Sequence, residues 1–123
     1  MAQTPSTLRP FNGRPGDIRA LQQVMSANGA ITIKHGHVLV TKAGVCAMTL
    51  AAPVAGVDNG CVLVIDSQTA NAHTLTLSGG LRGVGASADV GTFGGAIGDG
   101  VTLYAYNGAW YPVPSSNQNV TFA

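Results

Sequence analysis

Two histidines separated by one residue have the spacing in this chain that best suits chemistry. His35 and His37 flank Gly36, and on a strand the side chains at i and i+2 lie on the same face. Such a pair could supply two ligands to a metal ion, with His73 or the same pair of a neighbouring subunit completing the set. No cluster of Cys, His and Asp at ligand spacing accompanies the pair, so we interpret both as polar positions beside a glycine turn and predict no cofactor or metal.

The thiols, carboxylates and glycines do not predict a catalytic site. Cys46 and Cys61 each lie in an alternating apolar segment, which is typical of buried side chains rather than of thiolate nucleophiles. The chain has no Glu, and its aspartates lie mostly in turns, where Asp bonds its own backbone. The glycine-rich segment 79–100 precedes no helix that could complete a phosphate cradle. We therefore predict that the protein is not an enzyme.

The small number of charges predicts an assembled protein. Of 123 residues, 46% are hydrophobic and only 9% are charged, against roughly 25% in an ordinary globular domain. A free monomer with so few charges would be poorly protected against association. We therefore expect copies of the chain, or a larger assembly, to cover much of its surface, and we predict a homotrimer. A surface rich in Thr, Ser and Asn that stays soluble without charge is the alternative.

The charges that are present divide the chain into a basic beginning and an acidic body. Residues 1–42 contain five Lys and Arg residues and one Asp, whereas residues 43–123 contain Arg82 and four Asp. The basic residues are too sparse for a nucleic-acid patch, so we predict docking onto an acidic protein surface. The residues predicted to dock are Arg9, Arg14, Arg19, Ile18 and Leu21. No apolar run is long enough to span a bilayer and no signal peptide opens the chain, so we predict no membrane partner and synthesis in a cytoplasm.

The beginning of the chain is predicted to be an arm followed by one short helix. Prolines at 5, 10 and 15 favour an extended segment. Asp17 could cap a helix that continues to about residue 27, with an apolar stripe through Leu21 and Val24. Asn28-Gly29 would end it. Residues 1–29 are thus predicted to form a docking unit and residues 30–123 a trimerising β domain.

Short alternating segments predict that the rest of the chain is all-β. Strand-like runs lie at 31–33, 37–41, 45–50, 61–65, 73–77 and 101–113. Glycine turns separate them at the spacing that is typical of a small sandwich or barrel, and segment 79–100 is predicted to be a long loop or several very short strands. Asn107-Gly108 predicts the type I′ turn of a final hairpin.

The aromatic residues concentrate in this hairpin. Trp110 is expected to close the core as part of a cross-strand aromatic ladder. Tyr104 and Tyr106 share the opposite face from Val101 and Leu103, which predicts that they lie at a subunit interface or another contact surface. The alternative is a receptor- or glycan-binding site, in which the two tyrosines and Trp110 would contact sugar.

Four segments of the chain resemble tailed-bacteriophage head decoration (cement) and head-fibre proteins. They are LAAPVAG (50–56), DNGCVLVI (58–65), AHTLTL (72–77) and GGAIGDGVTLYAYNGAW (94–110). The resemblance covers roughly residues 44–113, and similar segments also occur in phage tail-fibre domains. It implies a small β protein, often trimeric and without enzymatic activity. Such a protein binds the major capsid protein on the outside of the virion and stabilises the shell.

Overall fold

The computed structural model describes residues 21–82 and 87–123, and this part of the chain is all-β. It forms a single sheet of ten strands that nearly closes on itself like a barrel. The strands are β1 (Gln22–Met25), β2 (Gly29–Ile31), β3 (Gly36–Val40), β4 (Ala47–Leu50), β5 (Val62–Ser67), β6 (Thr74–Arg82), β7 (Ser87–Phe93), β8 (Gly100–Tyr106), β9 (Ala109–Pro112) and β10 (Val120–Phe122).

The strands form two walls built on one plan. In wall A, β1, β3 and β5 pair in parallel, and β8 and β9 then continue the wall as antiparallel strands. In wall B, β2, β4 and β6 pair in parallel, and β7 and β10 follow as antiparallel strands. Successive strands from β1 to β6 thus alternate between the walls. The backbone therefore winds through three successive coils, and each coil contributes one strand to each wall. The strands of each coil therefore pair mainly with the strands of the coil before it, as in a solenoid.

The walls meet at two places. In the middle of the strand path, Leu81 of β6 pairs with Trp110 of β9. Between β1 and β2, the two strands that end the path, the carboxamide of Gln23 on β1 donates to the Ala30 carbonyl over 3.0 Å and accepts from the Thr32 amide over 2.8 Å. A backbone peptide of a neighbouring strand would make this same pair of bonds. The Gln23 side chain therefore takes the place of a strand at the free edge of β2, and we call it the Gln23 clamp.

The core lies between the two walls and follows the period-two alternation of the strands. Val38, Leu63 and Leu103 of wall A and Leu75 and Phe93 of wall B are buried, whereas their sequence neighbours on each strand point outward. The all-β prediction is confirmed, and its sandwich or barrel takes the form of this nearly closed sheet.

The short helix predicted from about residue 17 to 27 is absent from residues 21–27, and the first part of that range lies outside the described residues. Gln22–Met25 is instead a strand in parallel register with His37–Val40. Met25 is buried and Val24 is exposed, as alternation on a strand requires. An isolated helix of about eleven residues is marginal, so pairing with β3 overrides the apolar stripe. Asn28 is predicted from the sequence to end the helix. Its side-chain Oδ1 instead accepts the Ala47 amide of β4 over 3.0 Å, which fixes the corner between β1 and β2.

Three further sequence expectations can be compared with the observed elements. The boundary drawn between residues 29 and 30 falls inside β2, and β1 and β2 belong to the same sheet as the other described strands. The prediction of a long loop or several very short strands over 79–100 is wrong, because this segment contains the end of the nine-residue β6 and all of the seven-residue β7, with an irregular register between Thr76 and Leu81. The final hairpin forms as predicted, with positive φ at Asn107 (50°) and Gly108 (86°).

Candidate functional site

A cluster of three tyrosines lies on the outer surface of wall A. On β8, Val101, Leu103 and Ala105 point into the core while Tyr104 and Tyr106 point outward, as the alternation predicts. Tyr111 of β9 lies directly opposite Tyr104, and the two rings stack with centroids 5.3 Å apart and planes 19° apart. The Tyr106 ring is 6.4 Å from that of Tyr111. The sheet therefore fixes the positions of all three rings, and Tyr106 is 56% exposed.

Trp110 points into the molecule and contributes nothing to this outer surface. Its side chain is fully buried, and its indole Nε1 donates to the Ala51 carbonyl over 3.0 Å. Trp110 therefore lies in the core as expected, but it is not part of an aromatic ladder. Its cross-strand partner on β8 is Ala105, and the stacked cross-strand pair is Tyr104 and Tyr111. A sugar that contacts the tyrosines from outside would not reach the Trp110 ring.

Beside the tyrosine cluster lies a groove of about 340 Å³, which we call the aromatic groove. Its lining combines the two stacked rings with the segment that follows β9. One cation, Arg82 at the end of β6, lies at its edge. The lining residues are Arg82, Tyr104, Tyr111, Pro112, Val113, Pro114, Ser115, Asn117 and Phe122.

A second outward feature is the loop between β4 and β5, residues 51–60, which carries exposed apolar side chains. Val54 is 51% exposed and Val57 is 76% exposed. The turn of the β8–β9 hairpin lies against this loop, since the Gly60 amide donates to the Ala105 carbonyl over 2.8 Å. We call residues 51–60 the valine loop.

Hydrogen bonds hold the valine loop in one shape. The Asp58 carboxylate accepts the Val54 amide over 2.7 Å and the Lys34 ammonium over 2.8 Å. These bonds, that from Lys34 foremost, lower the pKa of Asp58, so the carboxylate and the ammonium neutralise each other beside the valines. The Asn59 side chain accepts amides from Gly56, over 3.3 Å, and from Asn107, over 2.8 Å. The loop therefore presents its apolar side chains on an ordered backbone with paired charges.

The three histidines do not converge. His35 accepts the Val62 amide at Nδ1 over 3.0 Å, so in its neutral form the proton is on Nε2. His37 lies with its Nε2 3.7 Å from Asp66 on the outer face of wall A. His73 is buried elsewhere and accepts the Cys46 amide over 3.0 Å. In residues 21–82 and 87–123, no group of three His, Cys, Asp or Glu side chains could hold a metal ion.

The remaining polar groups of interest stabilise local structure. Asp89 lies on β7 and accepts the Gly79 amide of β6 over 2.6 Å. Asp99 accepts the Ala96 amide over 2.9 Å, as expected of a turn aspartate. Asp66 lies on β5 and not in the predicted polar loop. Cys46 is fully buried, which raises the pKa of its thiol, and Cys61 is partly buried.

Most of the residues predicted to dock lie outside the described part of the chain. These are Arg9, Arg14, Arg19 and Ile18. Leu21 is described and lies immediately before β1, where it is 41% exposed and its carbonyl accepts the His37 amide. Tyr104 and Tyr106 lie on the surface as predicted.

The sequence predicted no role for Val54, Val57 or Arg82, and it indicated Tyr111 only as one of the aromatic residues of the final hairpin. A signal for the valines was present in the sequence, because Pro53-Val-Ala-Gly-Val57 is an apolar run inside a segment bounded by turn residues. Tyr111 and Arg82 join the groove only through strand register, which the sequence does not state.

Comparisons with known proteins give no relative. No protein-family model, no curated protein and no solved structure matches the chain. The described residues contain no helix of the length and apolar character needed to cross a membrane.

Proposed function

We propose that the protein is a non-catalytic structural protein that docks onto a protein assembly through the valine loop. The observation that carries this proposal is an exposed apolar pair, Val54 and Val57, on a loop that hydrogen bonds already hold in shape. Single exposed apolar residues are ordinary, but a fixed loop that carries two of them beside a neutralised ion pair suits an interface.

The energetics favour such a loop. Burying a valine side chain contributes roughly 1.5–3 kcal/mol. Ordering a flexible loop on binding would offset part of this gain, whereas a loop held by Asp58 and Asn59 is ordered before it binds. The Lys34–Asp58 pair, with its atoms 2.8 Å apart, brings no net charge into the interface.

The partner we propose is the major capsid protein of a tailed bacteriophage, and the place is the outside of the assembled shell in the virion. The resemblance of segments 50–56, 58–65, 72–77 and 94–110 to phage head decoration proteins supports this choice. The first of these segments lies within or beside the valine loop. Binding the shell but not its dissociated subunits would stabilise the shell by mass action.

In this proposal the chain acts as a homotrimer with a basic beginning that also docks. The low charge of the sequence supports self-association, and the outward tyrosines Tyr104 and Tyr106 are candidates for the subunit contact. Residues 1–20, with Arg9, Arg14, Arg19 and Ile18, are a further candidate for capsid contact, and Leu21 adjoins them.

Co-sedimentation with preformed empty capsid shells tests the docking proposal. The variant Val54→Asp/Val57→Asp replaces the apolar pair by charges, and we expect at least a tenfold loss of shell affinity. The matched control is Ile97→Asp, because Ile97 is a 67% exposed apolar loop residue that precedes β8, at the opposite end of that strand from the β8–β9 turn. We expect the control to bind the shell like the unchanged protein.

Equal shell binding by both variants would refute the role of the valine loop. A truncation that removes residues 1–20 and leaves β1 intact tests the arm in the same assay. Mass measurement in solution tests the trimer, and a monomer would contradict it.

A second candidate function is recognition of a glycan by the outer surface of wall A. It is favoured by the stacked Tyr104–Tyr111 pair and the groove beside it. In this case the protein would belong to a phage head or tail fibre, and its capsid contact would be a tether.

A further inference from the structure

The aromatic groove has the composition of a carbohydrate site. Its lining contains the stacked rings of Tyr104 and Tyr111 together with Pro112, Val113 and Pro114. A pyranose ring has an apolar face of C–H groups and a polar rim of hydroxyls. An aromatic ring fixed at the edge of a groove of about 340 Å³ can cover the apolar face while the rim stays in water.

The stacked pair is fixed before any ligand binds. Tyr104 and Tyr111 are cross-strand partners in the β8–β9 ladder, and each is only partly exposed. Leu103 and Pro112 pair beside them, so the strand register and not a mobile loop places the two rings. A ligand that stacks on them would spend little free energy on ordering side chains.

Arg82 gives the groove a positive charge. It is the sole Lys or Arg in residues 43–123, and it lies at the edge of this groove. Its Nη1 donates to the Gly79 carbonyl over 2.6 Å and, more weakly, to the Leu81 carbonyl over 3.4 Å. Two backbone carbonyls thus hold one nitrogen of the guanidinium. Its Nε and Nη2 make no hydrogen bond to the described residues, and a guanidinium with two such nitrogens suits a carboxylate.

A polar segment that contains Ser115 and Asn117 also lines the groove. Asn117 exchanges two hydrogen bonds of 2.8 Å with the backbone of Val120, which closes the segment that follows β9 into a turn. Ser115 lies in this segment with a φ of 64° and is exposed. Its hydroxyl is a donor and acceptor of the kind that sugar hydroxyls pair with.

From these observations we propose that the aromatic groove binds an acidic polysaccharide, with a sugar ring against Tyr111 and its carboxylate on Arg82. This inference deepens the second candidate function and rests on it. It does not depend on shell docking, because the groove and the valine loop share no residue.

Titration of the full chain with defined oligosaccharides, followed by backbone amide NMR shifts, tests the proposal. The acidic probes are tetragalacturonate and tetramannuronate, and the neutral probes are cellotetraose and maltotetraose. A hexa-aspartate peptide serves as an acidic ligand without a sugar ring. We expect saturable shifts at Tyr104, Tyr111 and Ser115 with at least one acidic oligosaccharide, at least tenfold weaker binding of the neutral ones, and no saturation with the peptide.

Three variants assign the binding to the groove. Arg82→Gln should lower the affinity for the acidic oligosaccharide at least tenfold and remove the preference over the neutral probes. Tyr111→Ala should weaken both classes. Ile97→Ala is the control, since Ile97 is an exposed apolar residue that does not line the groove, and its affinity should stay within twofold. Unchanged fluorescence of the buried Trp110 checks that each variant is folded.

Several results would overturn the proposal. They are an absence of saturable binding by all four oligosaccharides, equal affinity for acidic and neutral probes, or an Arg82→Gln variant that binds like the unchanged protein. Binding of hexa-aspartate as tightly as the uronates would assign the groove to an acidic peptide instead. None of these results bears on shell docking, which the Val54→Asp/Val57→Asp variant tests separately.

Discussion

Acidification below neutral pH is predicted to destabilise the fold through His73. This side chain is fully buried, and its Nδ1 accepts the Cys46 amide over 3.0 Å. Its Nε2 lies 3.0 Å from the Thr69 hydroxyl, which itself donates to the Lys42 carbonyl over 2.7 Å. Because the hydroxyl proton is donated to the Lys42 carbonyl, the Thr69 oxygen can only accept from Nε2. Nε2 therefore carries the imidazole proton while Nδ1 accepts, and the ring is neutral.

Protonating this ring would place a proton on Nδ1, which now accepts the Cys46 amide. Two donors would then face each other, and this hydrogen bond would be lost. Burial, joined by the nearby charge of Lys42, lowers the pKa of His73 from its ordinary value of 6.5. The unfolded chain therefore binds the proton first as pH falls. Stability is fully present above the unfolded pKa and is lost as pH falls below it toward the folded pKa.

A difference of one bound proton between the unfolded and the folded state changes the free energy of unfolding by about 1.4 kcal/mol per pH unit. Because the unfolded histidine has an ordinary pKa of 6.5, uptake of this proton by the unfolded chain lowers stability by at most about 1.4 kcal/mol between pH 7.5 and 5.5. Urea unfolding at both values, followed by Trp110 fluorescence, measures it. The pH range of this experiment ends above pH 5. Protonation of Asp58 does not contribute there, because the pKa of Asp58 lies below its ordinary value of 3.8.

The comparison of two variants isolates His73. His73→Gln, which cannot take up a proton, should be less stable at pH 7.5 but should lose less stability than the unchanged protein on acidification, by up to about 1.4 kcal/mol. His35→Gln, at an exposed histidine, should keep the His73 contribution. An unchanged pH dependence in His73→Gln would refute the reasoning.

Two further predictions follow from burial and close packing. At Gly100, a Cβ would lie 2.3 Å from the Ile65 carbonyl oxygen across the β5–β8 pair, so Gly100→Ala should destabilise the protein by about 1–3 kcal/mol in urea unfolding. At Gly44 nothing lies within 4 Å, so Gly44→Ala should be neutral or stabilising by up to about 1 kcal/mol, and equal costs at both sites would contradict the packing described. For the thiols, iodoacetamide should modify the partly buried Cys61 well before Cys46, which is fully buried and whose pKa burial raises. Mass spectrometry of the native protein tests this order, and prior labelling of Cys46 would refute it.

The elements that sequence predicted well are those in which local pattern and tertiary position agree. The runs at 73–77 and 101–113 alternate because one face of each strand lies on the core, the run at 61–65 is apolar throughout, and the expected strands form in all three. The turn at Asn107-Gly108 needs positive φ at two residues, which is a local property and therefore readable.

The failures come from pairing over long distance in sequence. Residues 22–25 have an apolar spacing that also suits a helix, and only their parallel register with β3 decides for a strand. The aromatic groove joins Arg82 of β6, Tyr104 of β8 and Phe122 of β10, which sequence separates by up to forty residues. No single segment carries a signal for a site of that kind.

The Gln23 clamp bears on how copies of this protein can aggregate. A parallel ladder that ends in bare strand edges is a template on which further chains can add without limit, as in an amyloid fibre. At β2, the Ala30 carbonyl and the Thr32 amide are already bonded to the carboxamide of Gln23, so an incoming strand would have to displace it. Replacing this glutamine by alanine would therefore leave both backbone groups free to pair with an added strand.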